Sequence, residues 1–503
     1  MGLRDRLRER WPLLVAVGCA VSLYAPWLNA GYVNLEYPFH LAARSLAGDQ
    51  TPGLMEAYFD DQANPLGYSL ILAFIYRIVG ISSTPWIARL PSLAGAVLML
   101  WAGWHWYRAR GVAGRATFGW WAALVVSHPM IAAFSTHGTA DLLPAALVLA
   151  AIVSSVVPSA PWSRLVVASG LAFSVGVGTK YSVAFFGPGL VYAWYVGRDD
   201  RLSLRRRWAT LGGSISAAAI VLIVMLSWMW SAYGVWISSK TGTHSPNFMA
   251  LHSWLGGGAG YLVFAGLFVG AVPLIASGLG RRGVLIASGL GLAIWLGRLA
   301  WPAGGELDFG NWAGAFGLLV RVLEAGGAML AGSLLVALWL VARRGESRDH
   351  ALLCAIGPAF LVLAAARPSQ RYLIGFVPMI FLLLLRQPPR GARRLLVATT
   401  VVGFAVVSIV GLSYLRAQGD ASERVARWAE QERLLASTSP GAICPHACHY
   451  WVGVDLAAPV RDVIAVSPSD SVPADAVFSA EVRPLGRLVR TYAVVPVEAG
   501  SGG

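Results

Sequence analysis

Apolar residues fill most of the chain up to about residue 415, in blocks of helical length broken by short arginine clusters or by glycine and proline. A helix needs about 20 mostly apolar residues to cross the hydrocarbon core of a bilayer. The pattern predicts spans near 11–30, 86–106, 117–135, 139–157, 163–178, 181–196, 208–230, 257–279, 284–301, 324–342, 351–366, 372–387 and 395–415, thirteen in all. One more run, 66–80 (LGYSLILAFIYRIVG), has fifteen residues. It reads as a re-entrant or surface-lying helix on the outer side. Two stretches break the apolar pattern. The first outer loop, 31–65, contains a candidate surface helix at 38–46. The tail, 417–503, begins with an amphipathic helix at 421–436, and strand-like runs follow at 462–466, 476–482 and 492–497. The predicted fold is an all-α polytopic membrane protein with a large first outer loop carrying surface-lying helices. A transmembrane domain, 1–416, is followed by a small α/β extracytoplasmic domain, 417–503.

Composition sharpens this picture. Apolar residues make up 56% of the 503, charged residues only 13%, and the mean hydropathy is +0.61. Soluble globular proteins carry about a quarter of their residues charged. A soluble enzyme and a disordered chain are both excluded. Thirty-nine Lys and Arg against 25 Asp and Glu give a net charge of +14, and only Lys180 and Lys240 are lysines. Such a charge raises nucleic acid as a partner. The positions of the arginines remove it. Twenty-two of them lie in clusters around Arg4–Arg10, Arg108–Arg115, Arg164, Arg198–Arg207, Arg281–Arg282, Arg343–Arg348 and Arg386–Arg394. All fall on one side if the thirteen spans alternate, and that side is the cytoplasm. The N-terminus is then cytoplasmic, the tail extracytoplasmic, and the chain an integral protein of the inner or plasma membrane in contact with lipids. The charged N-terminus looks like a signal peptide, but its apolar run is long and no A-x-A site follows, so it reads as a retained first helix.

Cys19 and Cys354 sit inside predicted spans as packing residues. Cys444 and Cys448 lie in the outer tail as C-P-H-A-C-H, where an oxidising exterior favours a disulfide; a metal site with His446 and His449, and free thiols, are the alternatives. The sequence holds no Walker loop, no G-x-G-x-x-G after a strand, no H-E-x-x-H and no G-x-S-x-G. Ionisable groups at membrane depth are costly and commonly functional. Glu36 just after the first span, Asp141 at the start of the fourth, Lys180 between the fifth and sixth, and Arg367 and Arg371 before the twelfth all fall at the outer surface. They are drawn from parts of the chain more than 300 residues apart. Acids beside cations suit transfer from an anionic leaving group: a carboxylate takes the proton of an attacking hydroxyl, and Lys and Arg stabilise a departing phosphate. Each also has an ordinary role open to it. Glu36 and Asp141 could cap helices, and Lys180 and Arg371 could snorkel to headgroups.

Four segments resemble a known family. NLEYPFHLAARSLAGDQT follows the first span; NPLGYSLILAFIYRIVG leads into WIARLPSLAGAVLML; TADLLPAALVLA opens the fourth span; GTKYSVAFFGPGLV and QRYLIGFVPMIFLLL come later. In order and spacing they resemble the C-type integral-membrane glycosyltransferases (GT-C), such as the protein O-mannosyltransferases and the lipid A aminoarabinose transferases. The resemblance covers about residues 30–200 and 367–387. It implies an inverting transfer of a sugar from a polyprenyl-phosphate donor to a hydroxyl of a glycan, lipid or protein acceptor at the outer face. It puts Glu36 and Asp141 at the catalytic acids, and Lys180, Arg371 and Tyr372 at the donor phosphate. Some members carry Lys before the Pro of the P-L-G-Y run, where this chain has Asn64-Pro65. His40, Asp60 and Asp61 are additional first-loop candidates. Some relatives use a divalent metal cation between acid and phosphate. The alternative is a lipid or glycan transporter or flippase, for which acids at the midplane and an inverted repeat are expected.

Overall fold

In hydrocarbon every backbone polar group must be satisfied within its own segment, so the apolar blocks are helices. A computed structural model describes residues 3–31, 36–50, 54–61, 64–81, 85–108, 111–157, 162–196, 204–235, 251–276, 281–301, 311–366, 370–431, 435–436, 455–456, 461–466 and 470–496. The described residues of the thirteen predicted spans lie mainly on helix. In chain order the helices are α1 (Leu3–Tyr24), α2 (Glu36–Ala47), α3 (Leu54–Asp61), α4 (Gly67–Val79), α5 (Pro85–Arg108), α6 (Gly111–Ser127) and α7 (Pro129–Ser135). Then come α8 (Leu142–Val156), α9 (Trp162–Thr179), α10 (Gly187–Val196), α11 (Leu204–Tyr233), α12 (Leu251–Val269) and α13 (Val272–Ala276). The series ends with α14 (Arg281–Ala300), α15 (Asn311–Arg344), α16 (Ser347–Ala366), α17 (Leu373–Leu384) and α18 (Ala392–Gln431).

Among the described residues, six helices are long and apolar enough to cross a membrane alone, and a seventh arises if α6 and α7 count as one bent span. The remaining predicted spans lie on shorter apolar helices or within α1. The bend between α6 and α7 is 66°. Its cause is local: Pro129 has no N–H to continue the helix. His128 caps the new start, its Nδ1 accepting from the Met130 N–H at 3.2 Å. Its Nε2 then donates to the Phe268 carbonyl at 3.0 Å.

The first loop, between α1 and α5, forms three helices, α2, α3 and α4. With 13 residues, α4 is about 20 Å long at 1.5 Å per residue, short of the ~30 Å hydrocarbon thickness. It packs on α2 through Leu41, Ala43, Leu72, Ala73 and Tyr76, with its Phe74 and Ile78 exposed. Arg89 and Arg108 lie at opposite ends of α5, about 28 Å apart by helical rise. Around Arg108 gather the basic helix ends. Arg108 pairs with Glu9 at 2.8 Å, Arg386 pairs with Asp349 at 2.6 Å, and Arg348 and Arg394 stack over Trp106 and Trp120.

Two predicted boundaries move. α1 begins at Leu3 and stops at Tyr24, not near residue 30, because Pro26 forces a single 3-10 turn, Ala25–Trp27. The tail helix predicted as a separate element is the end of α18, which runs unbroken for 40 residues. The boundary drawn at 416/417 falls inside it. No proline interrupts residues 392–431, and the lower half turns an apolar face to a sheet instead of lipid.

That sheet is built from the predicted strand runs, β3 (Arg461–Val466), β4 (Phe478–Val482) and β5 (Arg490–Pro496), with short β1 (Leu435–Ala436) pairing β2 (Asp455–Leu456) separately. Its order is β3-β5-β4, both pairings antiparallel. Ala480, Val482 and Tyr492 pack on Ala421 and Val425 of α18, and Trp428 stacks on Phe478 at 5.1 Å. Higher on α18, Gly419 meets Gly31 backbone to backbone; a Cβ on either would overlap the other's carbonyl. The tail is thereby fastened beside the first loop.

Candidate active site at one end of the bundle

Two buried ion pairs sit at the end of the bundle opposite the arginine clusters, joined by one turn of chain. The first pairs Glu36, at the start of α2, with Arg89, in the first turns of α5. Arg89 Nε donates to Glu36 Oε1 at 2.8 Å and its other arm to Oε2 at 2.7 Å. Both side chains are 1% exposed. The remaining guanidinium donors reach the carbonyls of Leu28, Ala30 and Gly31 at 2.8–2.9 Å. Arg89 therefore ties down the chain that leaves α1. The Gly138 N–H donates to Glu36 Oε1 at 2.5 Å. Burial works against the Glu36 carboxylate, but the Arg89 charge and bonds, a nearby His137 and the Gly138 amide outweigh it. They hold the group below the usual carboxylate range.

The second pair is Asp141 with Lys180, in direct contact and each 5% exposed. Asp141 occupies the N-cap position of α8, yet its side chain makes no capping bond; the carboxylate goes to Lys180 instead. Lys180 follows the last turn of α9. It is held inward, not extended to headgroups, with its ammonium 4.6 Å above the Tyr372 ring. Arg371 lies over the other side of this corner, 5.6 Å from the same ring, and its charge acts on Asp141.

The turn 136–141 connects the pairs. Gly138 bonds Glu36, and three residues later Asp141 bonds Lys180. A Cβ at Gly138 would stand 2.9 Å from the Ala88 carbonyl oxygen and 3.5 Å from Glu36 Oε1. The backbone can lie this close to α5 only because the residue is glycine. His137 donates from Nδ1 to the Ala133 carbonyl at 2.5 Å, which leaves Nε2 as its acceptor nitrogen.

The predicted residues thus divide. Glu36, Asp141, Lys180, Arg371 and Tyr372 come together at one level. His40 lies one turn beyond Glu36 but turns into the α2–α4 interface, its Nδ1 2.6 Å from the Tyr76 hydroxyl. Burial, helped by Arg44, pushes its pKa down to about 3, so the ring is neutral. Asp60 and Asp61 end α3, and their side chains lie outside the described residues, as do Arg367, Cys444, Cys448, His446 and His449. Among the described residues no group of three or more His, Cys, Asp or Glu gathers as a metal site.

Arg89 and His137 are functional candidates that the hydrophobic pattern does not single out. Arg89 did carry one signal: it is an arginine at the acidic end of a predicted span, away from the seven clusters. The motif segments also touch. The Tyr68 hydroxyl, in the P-L-G-Y run, bonds Ser92 Oγ at 3.0 Å and the Ala88 carbonyl at 3.1 Å, in the A-R-L-P-S run.

No family model matches the chain, and no curated protein matches it. Among solved structures, the chain is similar to ArnT from Cupriavidus metallidurans bound to undecaprenyl phosphate. There the identity is 16%, with 98% of this chain and 99% of that one covered and a TM-score of 0.48. The apo state of that protein gives 15%, 96%, 97% and 0.45. The archaeal oligosaccharyltransferase AglB from Archaeoglobus fulgidus, in complex with an inhibitory peptide and a dolichol-phosphate, is similar at 13% identity and a TM-score of 0.44; 86% of this chain covers 58% of that one.

Proposed function

We propose that this protein is a membrane glycosyltransferase that moves a sugar from a polyprenyl-phosphate donor to an acceptor hydroxyl at the outer face, with inversion. The observation that carries the reading is the Asp141–Lys180 pair, buried beside Arg371 and Tyr372 at the polar end of an apolar bundle. An anionic headgroup whose tail stays in lipid is the ligand such a corner suits. In the reaction, the acceptor oxygen attacks the anomeric carbon while the bond from that carbon to the phosphate oxygen breaks. The electron pair leaves with the phosphate. Lys180 and Arg371 stabilise the charge that develops there. An ammonium has three donors, so Lys180 can hold phosphate without releasing Asp141.

The two acids take different parts. Both Glu36 oxygens already accept charged or short hydrogen bonds, and a carboxylate so held is a weak base. Glu36 is a positioning residue that fixes the 136–141 turn. Asp141 gives only Oδ1 to Lys180, and its second oxygen takes the proton from the acceptor. The tail sheet, held beside the first loop by the Gly31–Gly419 contact, flanks the side from which a glycan, lipid or protein acceptor approaches.

The test is release of polyprenyl phosphate from a labelled polyprenyl-phosphate sugar by purified protein in proteoliposomes, across several acceptor classes. Wild type should release it, and Asp141→Asn and Lys180→Gln should each lose at least about 100-fold, the scale of a lost general base or charge stabiliser. Translocation of the lipid-linked sugar with its glycosidic bond intact would favour a flippase and refute the reading.

A further inference from the structure

Tyr261 of α12 is 0% exposed. Its ring is clamped by Phe360 at 5.1 Å and, edge-on, by Phe376 at 6.2 Å. Its hydroxyl has no hydrogen-bond partner among the described residues. Five other buried phenols of the bundle do have one. Tyr24 donates to the Val126 carbonyl, Tyr58 to that of Pro65, Tyr68 to that of Ala88 and Tyr107 to that of Leu385, and Tyr76 pairs with His40. Burying an unpaired hydroxyl destabilises a fold, so the exception calls for a reason.

Its position supplies one. Phe376, whose ring meets Tyr261 edge-on, lies one turn along α17 from Tyr372. The Tyr372 ring is the surface on which Lys180 and Arg371 converge. An O–H donor without a partner among the described residues thus stands in apolar surroundings, against a ring one helix turn from the one where the two cations meet. An anionic oxygen is the acceptor such a donor bonds most strongly, and the low dielectric strengthens the bond.

We propose that the Tyr261 hydroxyl donates a hydrogen bond to the phosphate of the lipid-linked donor, so that the phosphate is held by Lys180 and Arg371 from one helix corner and by Tyr261 from α12. This inference rests on the glycosyltransferase reading and assigns Tyr261 as a binding residue for the phosphate, not for the sugar.

Tyr261→Phe removes only the hydroxyl. Binding of undecaprenyl phosphate, which carries no sugar, is measured for wild type, Tyr261→Phe and Lys180→Gln in detergent, with undecaprenol as the uncharged control. Melting temperatures without ligand are recorded alongside. The expected result is a Tyr261→Phe protein that melts at or above the wild-type temperature, because no bond is lost in the empty site. It should bind undecaprenyl phosphate at least about tenfold more weakly, as for one hydrogen bond to a charged group, with undecaprenol binding unchanged. Wild-type affinity in Tyr261→Phe, with Lys180→Gln impaired, overturns the assignment and leaves the glycosyltransferase reading standing. A lower melting temperature without ligand also overturns it, since the hydroxyl would then have an internal partner. Equal, phosphate-independent binding by all three proteins would sink the parent reading as well.

Discussion

Loss of Arg89 should do more damage than loss of any other single described arginine at this end of the bundle, and the structure sets the scale. Its guanidinium makes two bonds to Glu36 and one each to the carbonyls of Leu28, Ala30 and Gly31, all at 2.7–2.9 Å and all within a site 1% exposed. Replacing it with Met keeps much of the volume but leaves Glu36 as a buried carboxylate stripped of its guanidinium partner, with the Gly138 amide still donating to Oε1. Breaking a buried pair from one side costs about 3–5 kcal/mol, and three buried carbonyls lose a donor besides. Against a typical total stability of 5–15 kcal/mol, Arg89→Met should unfold the first loop or the protein. Glu36→Gln should cost less, about 1–3 kcal/mol. The Gln side chain still accepts from Arg89, and Arg89 keeps its three carbonyls. The double variant Glu36→Gln/Arg89→Met removes the stranded charge. It should recover at least about 1 kcal/mol relative to the sum of the singles, within the range seen for contacting residues. The assay is a double-mutant cycle of unfolding free energies in one detergent, read by chemical denaturation. Additive single effects would refute the argument that each residue serves chiefly as the other's buried counter-ion.

Two further outcomes test the frame around the site. Gly138→Ala places a Cβ 2.9 Å from the Ala88 carbonyl. The turn must shift, at about 1–3 kcal/mol, and transfer activity should fall more steeply than stability because Asp141 rides on the same turn. Gly119→Ala, with open space around its Cβ, is the control and should be neutral or slightly stabilising on melting. The first loop should also be acid-labile. His40 has its pKa lowered from 6.5 to about 3 by burial and then by Arg44. The unfolded chain therefore binds a proton that the folded chain refuses. Stability is fully present above pH 6.5 and declines as pH falls toward 3, by up to about 1.4 kcal/mol per pH unit. Glu36, held below its ordinary 4.5, adds a second loss once pH falls below that value. Melting curves from pH 8 to 4.5 should slope downward in the wild type and flatten in His40→Gln; parallel curves would contradict the neutral, buried ring.

How far the sequence reaches can be seen residue by residue. Glu36, Asp141, Lys180 and Arg371 stand out because an ionisable group beside an apolar run is costly wherever it ends up. That much follows from local composition. Their partners do not. Arg89 lies 53 residues from Glu36, Lys180 lies 39 from Asp141, and Gly138 reaches back 102 residues to Glu36. No local periodicity encodes such pairings. Asp141 shows the difference well: its place before an apolar helix fits an N-cap, and only the approach of α9 to α8 turns its carboxylate to Lys180 instead.

The sequence by itself determined the membrane habit, the helical blocks, the short helix at 67–79 and the strands of the tail. Each depends on hydrophobic spacing between near neighbours, and spacing is a property of the chain. Tertiary structure decided what becomes of the charges. It spent Glu36 on Arg89, kept Lys180 inward over Tyr372, and turned His40 away toward α4. It also merged the tail helix with the last span because the sheet supplied an apolar face for α18. Whether a carboxylate is a base or an anchor depends on which donors reach its two oxygens, and in this protein those donors arrive from helices far apart in sequence.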